Sequence, residues 1–150
     1  MDLQTIEKNE LPIGITSQLL KEEKVYYFSY IAFVGGCTSS GDSQDHWVAL
    51  TDKRLLYKSK VKETQSNVVQ FVEKNGIIPF EKISFIEITK AESNVGCGFN
   101  GTIFYELRIG SSGGTTIIPI PNEGKGFEIR KIYMELAEYL KEEYDKNNDN

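Results

Sequence analysis

Gly126-Phe127-Glu128-Ile129-Arg130-Lys131-Ile132-Tyr133-Met134-Glu135-Leu136-Ala137-Glu138-Tyr139-Leu140-Lys141-Glu142-Glu143-Tyr144 is the stretch on which the fold turns. Ile129, Ile132, Tyr133, Leu136, Leu140 and Tyr144 fall on one helical face. Glu128, Arg130, Lys131, Glu135, Glu138 and Lys141 lie elsewhere. The spacing predicts a helix over residues 126–146, with the polar tail from Lys146 to Asn150 fraying because it has nothing to bury. No other part of the chain shows this period at comparable length. A single amphipathic helix must bury its stripe against whatever precedes it, so the nature of the preceding segments sets the architecture.

Those segments alternate with period two. Residues 24–34 set Val25, Tyr27, Ser29, Ile31 and Phe33 against Tyr26, Phe28, Tyr30, Ala32 and Val34, so both faces are apolar and the strand is expected to be covered on both sides. Residues 46–51 and 54–63 read as a hairpin around Asp52-Lys53. In its second strand Leu55, Tyr57, Ser59 and Val61 form a packed face, and Arg54, Leu56, Lys58, Lys60 and Lys62 a wet one. Further strands are predicted at 68–73, closed by a turn at Asn75-Gly76, and at 84–91 after an irregular stretch begun by Pro79. The last two, 102–109 and 115–120, flank Ser111-Ser112-Gly113-Gly114. Ahead of the first strand, Leu11-Pro12-Ile13-Gly14 reads as a break and residues 17–23 as a short helix. The expectation is one domain over 1–150: an N-terminal extension to residue 23, a β-barrel over 24–120 and a capping helix.

Length and composition agree. A chain of 150 residues buries roughly 70% of its unfolded surface without disulfides or metals. Its 39% apolar and 11% aromatic content is that of an ordered globule. Seventeen Lys and Arg against 22 Asp and Glu give a net charge of -5, which argues against nucleic acid as a partner. No cationic leader with an apolar run opens the chain and no stretch is apolar enough to span a bilayer, so a cytoplasmic location is expected. Cys37, Cys97 and the single His46 do not make a four-ligand zinc set; free thiols are expected, with a bridge open only if the two glycine-flanked turns meet. No cofactor or small-molecule substrate is expected.

Seven antiparallel strands followed by one helix can close a strongly bent sheet with the helix over an open end. Here the chain resembles the pleckstrin-homology superfold, and specifically its bacterial PH-like and GRAM-like domains. The residues that carry the resemblance are Leu20-Lys21-Glu22-Glu23-Lys24-Val25, Val48-Ala49-Leu50-Thr51-Asp52-Lys53-Arg54-Leu55-Leu56-Tyr57 and Ile78-Pro79-Phe80-Glu81-Lys82-Ile83-Ser84-Phe85-Ile86. A lipocalin-like barrel or another small β-sandwich with a terminal helix is the competing architecture. The resemblance implies a binding or scaffold role, often homo-oligomeric, with no catalytic residues to carry over.

Candidate sites are few. His46 has Asp42 and Asp45 nearby in sequence but no nucleophile motif beside it, so no enzyme is expected. Lys58, Lys60 and Lys62 form a row of positive charge with a repeat of about 6.8 Å, and Arg54 lies on the same side; the four are the candidate site for an anionic ligand or membrane. The family's lipid-binding members concentrate basic residues in the loop between the first two strands; residues 35–45 here contain none and carry Asp42 and Asp45. A solvated strand face or lysine-guarded edge fits better. The glycine-rich stretches 96–101 and 110–114 lack the phosphate-loop pattern and read as turns. Asn100-Gly101-Thr102 matches a glycosylation acceptor. Tyr26, Tyr30, Trp47, Phe71, Phe99 and Tyr105 are core candidates before they are cleft candidates. The leading expectation is a protein-binding or self-associating module, with peripheral membrane or anionic-ligand binding as the alternative.

Overall fold

The computed structural model describes residues 3–31, 45–93 and 102–148. Its seven strands are antiparallel and lie in two sheets. The first holds β1 (Val25–Tyr30), β2 (Trp47–Thr51), β3 (Arg54–Gln65) and β4 (Val68–Pro79) in that order. The second holds β5 (Ile83–Ser93), β6 (Thr102–Ser111) and β7 (Gly114–Ile120). Helix α1 (Ile13–Thr16) precedes the strands and α2 (Glu123–Asn148) ends the described chain. Among the described residues the strands form two separate sheets rather than a closed barrel, with a core shared between them.

That core joins both sheets and α2. Tyr27, Ile31, Val48, Leu50, Leu55 and Ile78 line the first sheet, Leu107, Ile109, Ile118 and Ile120 the second, and Ile129 and Leu136 come from α2. The helix thus seals the gap between sheets, as its stripe requires. Its approach is close at Gly126, where any Cβ would lie 2.6 Å from Ile88 Cγ1 and 2.8 Å from Ile120 Cδ1. The stripe is shorter than its period suggests: Tyr144 is 68% exposed, because from Lys141 onward the helix overhangs the body. Asn122 Oδ1 accepts the N–H of Lys125 at 2.8 Å and starts the helix at Glu123, three residues earlier than the hydrophobic pattern alone predicts.

The outer face of the first sheet carries a second core. Val25, Trp47, Ala49 and Leu56 are buried there beneath Leu11 and Ile15 of the N-terminal segment. The expectation of a wet face at Leu56 is therefore corrected; the segment before β1 is a strap, and its near end keeps Leu56 dry. A bulge between Val25 and Tyr27 explains how one strand feeds both cores, because the extra residue reverses the facing of everything after it. The expected helix over 17–23 is also corrected. Pro12 sits ahead of α1, and the chain then turns through Glu22 at φ 68° to bring Glu23 inward.

The turn expected at Asn75-Gly76 is absent. The reversal between β3 and β4 falls at Ser66-Asn67, in the gap between the strands expected at 54–63 and 68–73, with both residues at positive φ (51° and 66°), as a two-residue hairpin turn demands. From there β3 and β4 pair through twelve uninterrupted positions, Gln65 with Val68 to Arg54 with Pro79. Gly76 serves packing: it lies across from Tyr57, whose ring covers it and leaves no room for a Cβ. Gly110 is covered by Phe85 in the same way.

Candidate interaction surface

Arg54 opens β3 but does not join a surface row. The turn over residues 20–23 delivers Glu23 beneath it, and Arg54 Nε and Nη2 each donate at 3.0 Å to a different Glu23 oxygen. Arg54 Nη2 also reaches the Gln18 carbonyl at 2.8 Å. The Leu20 N–H (2.9 Å) and the Thr51 hydroxyl (2.7 Å) complete the carboxylate's shell. Burial by itself would raise the Glu23 carboxyl. The Arg54 hydrogen bonds, followed by those from Leu20 and Thr51, outweigh it and hold the group below its ordinary range. Arg54 is thus removed from the candidate anionic site: it locks the strap to the β2–β3 turn.

Lys58 and Lys60 do project from one face of β3, where β4 supplies the opposing charge. Lys58 Nζ lies 3.4 Å from Glu73 Oε1, and Lys60 is paired in register with that same glutamate. Lys60 Nζ also stands 6.0 Å from the centroid of the Phe71 ring. His46, buried at the start of β2, brings Nε2 to 3.7 Å from Glu73 Oε2. On the other face Lys74 pairs with Glu63 at 2.5 Å. The Lys62 backbone continues the row, and its side chain lies outside the described ones. Among the described side chains, Arg54 and Lys58 each have a carboxylate partner and Lys60 stands across from Glu73, so these three do not form a bare positive stripe.

What the ribbon does present is an edge. β2 reaches only from Leu55 to Lys58 on β3, so the β3–β4 ribbon runs on past its neighbour to the Ser66-Asn67 tip. Among the described strands, β4 is the last of its sheet. The Phe80 N–H donates to the Lys53 carbonyl, which fixes the ladder's parity: the hydrogen-bonded pairs are 55 with 78, 57 with 76, 59 with 74 and so on to 65 with 68. The N–H groups of Glu73, Asn75 and Ile77 therefore point away from β3. Pro79, which has no N–H, occupies the next outward position, where β3 does not miss it. Val68 and Ile77 are 61% and 48% exposed along the same strand.

The other edges are guarded. Ile6 donates its N–H to Val25 at 2.8 Å and closes the start of β1. β5 carries a bulge between Ile83 and Phe85 together with Glu87, Lys90 and Glu92, and β7 has Pro119 near its end. β4 pairs with β3 without a bulge, and its two charged residues, Glu73 and Lys74, are both held by β3 partners.

A polar cluster joins β1 to the start of α2. The Tyr27 hydroxyl donates to Glu128 Oε2 at 2.5 Å, and Lys125 Nζ donates to the same oxygen (2.9 Å) and to Ser29 Oγ (2.8 Å). Burial first, then the Glu128 carboxylate, pushes the Tyr27 hydroxyl well above its ordinary value; Tyr27, followed by Lys125, lowers Glu128. The arrangement fastens the helix to the first sheet. Of the aromatic candidates, Trp47 is buried, Tyr26 and Tyr105 pack against the core, and Tyr30 and Phe71 are partly exposed. They do not converge on one cleft.

Phe99, Cys37, Cys97, Asp42 and the sequence Asn100-Gly101 lie outside the described residues. Among the described residues no three His, Cys, Asp or Glu side chains are placed to hold a metal, and no helix is long and apolar enough to cross a membrane. Compared with protein-family models, with curated proteins and with solved structures, the chain matches none.

Proposed function

We propose that the chain is a PH-like domain acting as a non-enzymatic docking module, and that it binds an extended segment of a partner protein along the outer edge of β4. The observation that carries this reading is the outward row of N–H groups at Glu73, Asn75 and Ile77 on a bulge-free edge strand. A partner strand would satisfy that row and draw specificity from side chains at alternate positions, Ile77 among them. The PH-like assignment draws support from the division of strands into four and three, with a C-terminal helix seated against both sheets.

The test is selection of extended peptides from a random library against the purified chain, followed by NMR titration of the backbone amides. Binders are expected to shift the β4 amides and to lose affinity on Asn75→Pro, which deletes an outward donor while sparing the β3 ladder. A library that yields no binders, or binders indifferent to Asn75→Pro, would overturn the reading.

A further inference from the structure

The face of α2 turned away from the core is not uniformly polar. Phe127 is 46% exposed and Met134 55% exposed, seven residues apart and so on one line along the helix. Around them lie Arg130, Lys131, Glu135 and Glu138, which together with the two apolar residues line a shallow surface groove. Arg130 stacks over the Phe127 ring at 5.4 Å. Lys131 and Glu138 form no ion pair among the described residues, and Glu135 Oε2 is shielded from solvent without a hydrogen-bond partner there.

The order of charge along this face is what selects a partner. Lys131 and Glu138 are also seven residues apart, and their midpoint falls at Met134 and Glu135. A twofold axis through that level, perpendicular to the helix, maps the height of Lys131 onto that of Glu138 in a second, antiparallel copy. It does so twice, while Met134 meets its own counterpart at the centre. Phe127 of each copy then lies against the stem of the other's Lys141. A parallel pair of helices would instead set Lys131 against Lys131 and Glu138 against Glu138.

We infer that the outer face of α2 is a homodimer surface in which two copies pack antiparallel about Met134, with reciprocal Lys131–Glu138 pairs. The inference rests on the reading of the chain as an interaction module, names a second copy as partner, and uses a face separate from the β4 edge. One helical stripe buries less than a standard interface, so the dimer is weak, with a dissociation constant on the order of 10–100 µM.

Sedimentation velocity of the whole chain, from low micromolar to near-millimolar protein, tests it. Wild type is expected to shift from monomer to dimer, less so at high salt. Lys131→Glu sets like charges together twice and is expected to weaken the dimer by at least about tenfold. The double change Lys131→Glu with Glu138→Lys restores opposite charges and is expected to bring the dimer back. Both positions face solvent, so circular dichroism should be unchanged in every variant. A chain that stays monomeric throughout, a dimer indifferent to Lys131→Glu, or a double variant that fails to recover would each overturn the inference. The peptide experiment on β4 is unaffected by any of these results, because Asn75→Pro touches neither residue.

Discussion

Replacing Glu23 with Gln should destabilise the fold far more than a conservative exchange at a turn-to-strand boundary ordinarily does. Glu23 is fully buried, and its two oxygens accept from Leu20 N–H, Thr51 Oγ1 and both arms of Arg54. Glutamine keeps one acceptor and turns an NH2 group towards a donor, leaving the largely buried Arg54 charge without its counter-ion. Removing one partner of a buried pair costs about 3–5 kcal/mol. For a chain of this size each kcal/mol moves Tm by about 2–4 °C, so a fall of about 6–20 °C is expected. Thermal unfolding followed by circular dichroism measures it. Trp47, the single tryptophan, sits under the strap that Glu23 fastens, so its fluorescence reports local release of the strap before global melting.

The pH dependence follows from the depressed carboxyl. Its folded value lies below the ordinary 4.5, so the pair's contribution is fully present above 4.5 and is lost as pH falls through the lower folded value. The gap in Tm between wild type and Glu23→Gln should be largest near neutrality and narrow in acid. A fall of under about 3 °C at neutral pH, equivalent to roughly 1 kcal/mol, or a gap that widens in acid, would refute the assignment of Glu23 and Arg54 as the strap's lock.

Other positions give independent expectations. Gly126→Ala gains about 1 kcal/mol of helix propensity yet places a Cβ against Ile88 and Ile120; overpacking costs about 1–3 kcal/mol, so denaturant midpoints should fall. Leu136→Ala should cost about 2–5 kcal/mol in chemical denaturation, whereas Tyr144→Ala should stay within about 0.5, although both lie on the same apolar stripe of the sequence. Tyr27→Phe removes the hydrogen bond to Glu128 and should lower stability by about 1 kcal/mol. Phosphatidylserine vesicles should float without the protein at low and high salt; salt-sensitive flotation abolished by Lys58→Glu would revive the anionic-surface alternative.

The strands, the hairpin at Asp52-Lys53 and the C-terminal helix were legible because period is a local property, repeated within each element. What escaped the sequence was tertiary. Asn75-Gly76 has turn chemistry, but the register set at Ser66-Asn67 carries the strand through it and uses the glycine to seat Tyr57. Leu56 sits among basic residues and gives no hint that Leu11 and Ile15 will cover it. Arg54 looked like the first member of a positive row because Glu23, which captures it, lies 31 residues away. In the sequence Glu22 and Glu23 stand out only as part of the Leu20-Lys21-Glu22-Glu23-Lys24-Val25 stretch; the signal that one is buried is its position directly before a strand with two apolar faces. Charge rows are poor guides to binding for the same reason: the opposing Glu73 belongs to the next strand.

The β4 edge is open to direct measurement by amide hydrogen exchange, resolved residue by residue by NMR on the free chain. The N–H groups of Lys74, Gly76 and Ile78 face β3 and should exchange slowly, while those of Glu73, Asn75 and Ile77 should exchange fast and become protected when a selected peptide is added. Slow exchange at Glu73, Asn75 and Ile77 in the free monomer would mean that the edge is already occupied, and would contradict the docking role proposed for it.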